Sequence, residues 1–368
     1  MLDQALYAIQ IVAIAVLGFI AYYWGANWVL DRSLATNATM SHETIARRDR
    51  RRTRIRPWIF LAPALLLLAV YLVYPVFETL RLSLYDRLGQ NFVGLSNYQW
   101  AFGNPADWFR SATDATGAPI IDAATGLPIV LNQGDPTFWR STLNNVAWLI
   151  IVPSLATAFG LVIAVLADRV WWGGIAKTLV FMPMAISFVG AAVIWRFVYA
   201  YRAAGTDQIG LLNALVVAFG GEPQVWLGIP WLNSLLLMII LVWIQTGFAM
   251  VILSAALRGI PQETLEAARI DGANERQIFF GIMIPQIAGT ILVVWTTITI
   301  IVLKVFDIVY AMTNGENGTQ VLANLMYRWT FISGDSGRGS AIAIVIMLAV
   351  LPIMIWNIRR ARAAEGAL

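Results

Sequence analysis

The stretch Glu266-Ala267-Ala268-Arg269-Ile270-Asp271-Gly272, followed by Ile282-Met283-Ile284-Pro285, has residue types and spacing suited to contact rather than to bond-making. Pro261 has the fixed φ that suits a first helical position, and Glu263 and Glu266 favour the positive end of a helix dipole. Leu265, Ala268 and Arg269 follow at three- and four-residue spacing, which gives one apolar and one charged stripe. Ala267 and Ala268 are small enough for the backbone to sit deep in a groove. Gly272 can take the left-handed conformation that ends a helix and reverses the chain. Ile278, Phe279, Phe280 and Ile282 then offer an apolar face, and Pro285 opens a further apolar segment. Such a helix fits a cleft on a soluble partner; an ordinary connector lying among lipid headgroups would use the same residues.

Bond-making chemistry has little to work with elsewhere. The chain has no cysteine, so thiolate metal sites and cysteine nucleophiles are excluded. Its one histidine, His42, lies in an arginine-rich stretch, and its 21 acidic residues are scattered with no D-x-D pair. No G-x-x-x-x-G-K-[ST] phosphate loop occurs, so any nucleotide site must be on another polypeptide. Lys304 and Asp307, three apart in an apolar run, read as a charge pair or as groups near a solute path. Asn233, Gln245, Trp243, Trp295 and Thr299 offer the amide, hydroxyl and aromatic groups that a neutral, hydroxylated solute would need. The same residues also serve plain helix packing.

The elements that must position these groups are membrane helices. The composition is 59% apolar and 12% charged, with a mean hydropathy of +0.69, which places the chain with all-α polytopic membrane proteins. Seven segments are long and apolar enough to span: Ala5–Trp24, Trp58–Leu80, Val146–Ala167, Ile175–Trp195, Leu232–Leu257, Ile287–Met312 and Ala341–Ile358. The first has only Asp3 before its apolar run, so it reads as a retained span. Eight arginines crowd the Gly25–Arg56 connection. With Arg169, Lys177, Arg258, Arg269, Arg276, Arg359, Arg360 and Arg362, they set the N-terminus outside and the C-terminus inside. The basic excess is then a matter of topology, not of nucleic-acid binding. Two external connections are long: Arg81–Asn145, whose Ser111–Asp135 part reads as a loose insertion, and Tyr201–Pro230, whose Ile209–Phe219 run reads as an interfacial or re-entrant helix.

The 266–285 stretch resembles the E-A-A-x(3)-G-x(9)-I-x-L-P loop of permease subunits of binding-protein-dependent ABC importers, with Ile284 where the family has Leu. The likeness extends to the maltose-type carbohydrate permeases. It runs through Phe60-Leu61-Ala62-Pro63-Ala64, Tyr74-Pro75, Phe92 to Tyr98, Phe138-Trp139-Arg140, Leu303 to Gly315 and Gly337 to Ala343. Glu316 and Asn317 stand where that family usually has Gly-Pro. The resemblance covers about 57–363 and implies a six-span permease core there. Residues 1–25 would be an added transmembrane helix, 26–56 an arginine-rich cytoplasmic linker, and 258–285 the cytoplasmic coupling loop.

By that resemblance, Glu266, Ala267, Ala268, Asp271, Gly272 and Pro285 belong to the contact with an ATP-hydrolysing subunit. The chain is then a plasma-membrane transport subunit without catalysis of its own. The expected partners are a second permease, two ATPase subunits that hold ATP and Mg, and an external sugar-binding protein. A di- or oligosaccharide, an α-glucoside such as maltose, trehalose or sucrose, is the expected cargo. The alternatives are an importer for another solute such as a glycerol phosphate ester, an ion-coupled carrier using Lys304 and Asp307, and a membrane-bound glycosyltransferase.

Overall fold

The computed structural model describes residues 2–35, 42–103, 121 and 135–365. Most of the Ser111–Asp135 insertion therefore lies outside the described residues. The chain forms two compact units, Met1–Glu78 and Thr79–Leu368.

The first unit is a helical hairpin. Helix α1 (Leu2–Ser33) packs on α2 (His42–Leu68), and a wide π turn, Ala69–Val73, leads on to α3 (Tyr74–Leu82). Most described residues of the arginine-rich 26–56 segment are helical. Arg52 and Arg56 reach back to Asp31 at 2.7 and 3.6 Å, and Arg56 Nε donates to Asn27 at 3.2 Å. Pro63 cannot donate to the Ile59 carbonyl four residues earlier. The Tyr22 hydroxyl donates to that carbonyl instead, at 3.1 Å.

The second unit opens with α4 (Ser96–Phe102) and centres on α5 (Pro136–Ala167). The predicted span at Val146 starts ten residues earlier, because Asp135 caps the helix through Phe138 N at 2.8 Å and Pro136 occupies its first turn. Next come α6 (Gly173–Phe181), a 3-10 turn Met182–Ala185, and α7 (Phe188–Val198). The predicted fourth span, Ile175–Trp195, is thus broken by 106°. Pro183 tightens the chain, Ile186 is extended, and the Ser187 hydroxyl caps α7 through Gly190 N at 3.0 Å.

The Ile209–Phe219 run forms the short helix α8 (Leu211–Ala218). Its Asn213, fully buried, is bonded to Ala200 O and to both backbone groups of Gln224. Helix α9 (Leu232–Arg258) is apolar on all sides and is the most enclosed of the long helices, as a central helix must be. Leu237, Leu241, Ile244 and Leu253 on α9 share the core with Trp148, Val152 and Ala156 on α5. A Cβ on Gly160 would come within 2.5 Å of Ala249 Cβ, so the two helices touch backbone to backbone there.

After α10 (Gln262–Ile270), α11 (Glu275–Ile278), a π turn Phe279–Met283 and α12 (Ile284–Leu303) run on as one long element. The predicted Ile287–Met312 span stops at Leu303 and restarts as α13 (Asp307–Met312). Asp307 restarts it with a negative charge at the helix N-terminus. Lys304 and Asp307 are therefore not on one helical face. Helix α14 (Leu322–Tyr327), a π turn and α15 (Ser336–Glu365) complete the chain. Among the described residues, six helices are long and apolar enough to cross a membrane, or seven if the bent α6–α7 pair is one span.

Candidate functional site

Helix α10 is held by its own ends. Pro261 sits one position before the helix, which begins at Gln262, and Glu263 lies in the first turn. At the other end Ala273 N bonds Ala268 O at 3.0 Å and Gly272 N bonds Arg269 O at 3.1 Å, the paired closure of a Schellman motif. It requires a left-handed residue, and Gly272 has φ +85°. The chain turns directly into α11 through a reciprocal cap: Gln277 N donates to Asn274 Oδ1 at 2.9 Å, and Asn274 N donates to Gln277 Oε1 at 2.8 Å.

The helix has two distinct faces. Ala268 is buried and Leu265 is packed on the core, whereas Glu263, Glu266, Ala267 and Ile270 are exposed on the opposite side. The paired alanines thus split: Ala268 seats the helix and Ala267 keeps its outer face low. Ile270 is 86% exposed, a large apolar side chain left uncovered on a charged helix. Asp271 and Gly272 are also exposed, and Pro285 lies in the first turn of α12. Of the apolar set after the turn, Ile278 is buried and Phe279 packs on the core, but Phe280 points outward.

Sequence reasoning missed the charge network beneath α10. Glu275 bridges Arg269 (3.2 Å) and Arg169, just past α5 (2.8 Å). Asp168 takes Lys177 and Arg258, each at 2.8 Å, and Lys177 also bonds Ser254. Burial pushes the Asp168 carboxyl up, but hydrogen bonds and charge from Arg258 and Lys177 outweigh it and hold the carboxyl below its ordinary value. Arg169 and Lys177 were visible only as basic residues that set the orientation; their acidic partners lie 106 and nine residues away.

Several of the predicted solute-path residues make contacts within the chain. Asn233 bonds Asn317 O at 2.8 Å and caps Ser234 N at 2.7 Å, so it holds a loop. Thr299 bonds Trp295 O on its own helix at 2.8 Å, and Thr296 and Thr297 do likewise with Leu292 and Val293. Trp243 meets Trp195 edge to face at 5.7 Å, and Trp295 Nε1 reaches Ser154 at 3.4 Å. Gln245 is buried on α9, Lys304 is exposed, and Asp307 is half-buried.

A bundle of apolar spans with a capped amphipathic helix braced outside it is the architecture of a polytopic membrane protein. The chain belongs to the family of binding-protein-dependent transport system inner membrane components, which matches residues 106–358. It is 58% identical to the alpha-glucoside transport system permease protein AglF of Rhizobium meliloti, over 99% of each chain. It is 48% identical to the osmoprotective compounds uptake permease protein GgtC of Synechocystis, over 83% of this chain and 99% of that one. Among solved structures, a bacterial ABC transporter for the acidic polysaccharide alginate has the same fold (TM-score 0.66, 18% identity, covering 85% of this chain and 99% of that one).

Proposed function

We propose that the chain is one of two transmembrane subunits of an ATP-driven importer for an α-glucoside di- or oligosaccharide. The observation that carries this reading is the 58% identity to an alpha-glucoside permease, sustained from the first helix to the last. The acidic polysaccharide cargo of the structural neighbour does not transfer at 18% identity.

In this reading the N-terminus is outside, and α10 and the arginine run of α2 face the cytoplasm. Two ATPase subunits, holding ATP and Mg, dock on the exposed face of α10. Ile270 is the apolar anchor of that contact, and Ala267 lets the surfaces close. Asp168 and Glu275 tie α10 and its neighbours to the ends of α5 and α9, so displacement of α10 is passed to the spans. An external binding protein delivers the sugar, and a second permease completes the path.

A cysteine at Ala267 is expected to crosslink to the ATPase subunit in intact cells. Gly272→Val forces a β-branched residue to φ +85°, which costs about 1–2 kcal/mol. It should leave membrane insertion normal while abolishing sugar-stimulated ATP hydrolysis. Wild-type transport in that variant, or no crosslink at position 267, overturns the docking assignment.

A further inference from the structure

Helices α5 and α9 run parallel, since Asp168 after one C-terminus bonds Arg258 at the other. At their N-terminal ends, roughly 40 Å from α10 by helix rise, lies an open cavity of about 1420 Å³. Trp139 and Trp231 supply aromatic faces, and Asn144, Ser234, Gln320 and a Glu316–Arg328 ion pair (3.3 Å) supply polar groups. This wall was not among the solute-path residues expected from sequence.

Three features suit it to a hydroxyl-rich ring. Trp231 is held at φ +67°, a conformation bulky residues rarely adopt, and its side chain stands 82% exposed at the rim. The 314–320 loop is closed by its own bonds, Thr319 Oγ1 donating to Glu316 O at 2.7 Å, and is pinned from behind: Asn144 Nδ2 donates to Gly318 O (2.7 Å) and Gln320 O (2.8 Å), and Asn233 to Asn317 O (2.8 Å). Gln320, only 3% exposed, accepts from Asn324 Nδ2 at 2.6 Å, while its own Nε2 and the Asn324 Oδ1 are buried without a partner. A buried amide donor without an acceptor is unfavourable, and Gln320 stands in the cavity wall, which suits it to a solute oxygen.

We propose that this cavity is an outer sugar subsite, where an α-glucoside released by the binding protein is held by aromatic stacking and amide hydrogen bonds before it enters the bundle. Aromatic rings take the apolar face of a pyranose while amides and the ion pair meet its hydroxyls, and the net neutrality of the Glu316–Arg328 pair suits an uncharged solute. This inference rests on the sugar-importer reading.

The test uses the assembled transporter in detergent without binding protein, titrated with maltose, trehalose and sucrose and read by saturation-transfer NMR from protein to sugar. A saturable signal is expected from at least one of them. Trp231→Ala, at an exposed position, and Gln320→Leu should each weaken it about fivefold, the worth of one contact. Both should raise the transport KM while sugar-free ATP hydrolysis stays unchanged. Should Gln320→Leu fail to assemble, Trp231→Ala carries the test alone. Absence of a saturable signal, or a signal untouched by Trp231→Ala, overturns the subsite. So does a result in which the variant loses binding-protein affinity but keeps the sugar signal, which would make the wall a protein-docking surface. Uptake of no α-glucoside by the wild-type transporter would instead sink the importer reading, so the two failures are distinguishable.

Discussion

The two ends of the α5–α9 pair solve one problem, holding a polar connection beside an apolar bundle, by different chemistry. At the α10 end the connection is fixed by caps local in sequence and by ion pairs in which the arginines are at least half-exposed. At the cavity end it is fixed by two asparagines, Asn233 buried and Asn144 half-buried, that bond backbone carbonyls across 84 to 176 residues. Exposed ion pairs are weak and easily exchanged for another surface, whereas buried amide bonds are costly to break. The α10 end therefore suits an element that moves against a partner, and the cavity end suits one that keeps its shape.

The largest effect is expected where the two ends are mechanically joined. Gly160→Leu would drive a side chain into Ala249 and the Met250 backbone, with the first contact at 2.5 Å. Backbone resists such overpacking, so we expect about 3 kcal/mol of destabilisation, or failure of the complex to assemble. Thermal unfolding of the purified transporter reads this directly. A stable Gly160→Leu transporter with normal uptake would mean that α5 and α9 do not act as one strut.

The next effect tests the rigid end. Asn144→Leu strips the donors from Gly318 O and Gln320 O and leaves two carbonyls unmet, a loss of about 2 kcal/mol. Sugar affinity should fall with stability, while coupling of hydrolysis to the bundle should persist. If stimulated ATP hydrolysis failed with affinity intact, the division of labour between the ends would be wrong.

The same contrast explains what could be read from the sequence. Glu263, Ala268 and Gly272 act within a few residues of themselves, so dipole, spacing and left-handed turn were legible without coordinates. The spans were legible too, because apolar length is a local property. Breaks inside spans were harder: Pro183 and Ser187 bend the fourth by 106°, yet a proline in an apolar run reads equally well as a tolerated kink. Lys304 and Asp307 seemed paired only because the helix was assumed to continue through them. The amide network at the cavity was invisible. Asn144, Asn233 and Gln320 carry no spacing signal, because their partners are brought together only by packing. Asn317 also shows why Gly-Pro is absent from this turn: it sits at φ +55°, where proline's ring cannot go.

The smallest effect tests the exchangeable end through pH. The Asp168 carboxyl titrates below its ordinary 3.8 in the folded chain. Its stabilising contribution is therefore fully present above the unfolded value and is lost only as pH falls through the lower folded one. Asp168→Asn should cost about 1 kcal/mol after solvent screening, since the carboxylate is 31% exposed. Between about pH 5 and 8 the melting difference from wild type should be flat, and it should shrink only below about pH 4. A difference that instead changed across neutral pH would show that some group other than this carboxylate controls the brace. Because Lys177 is only 17% exposed and Arg258 is 69% exposed, the variant strands the lysine far more than the arginine. Adding Lys177→Met to Asp168→Asn should then recover most of the lost stability, while Arg258→Met should recover little. Equal rescue by both would mean that the brace acts as a diffuse surface charge, and the contrast with the amide-pinned end would narrow to one of degree.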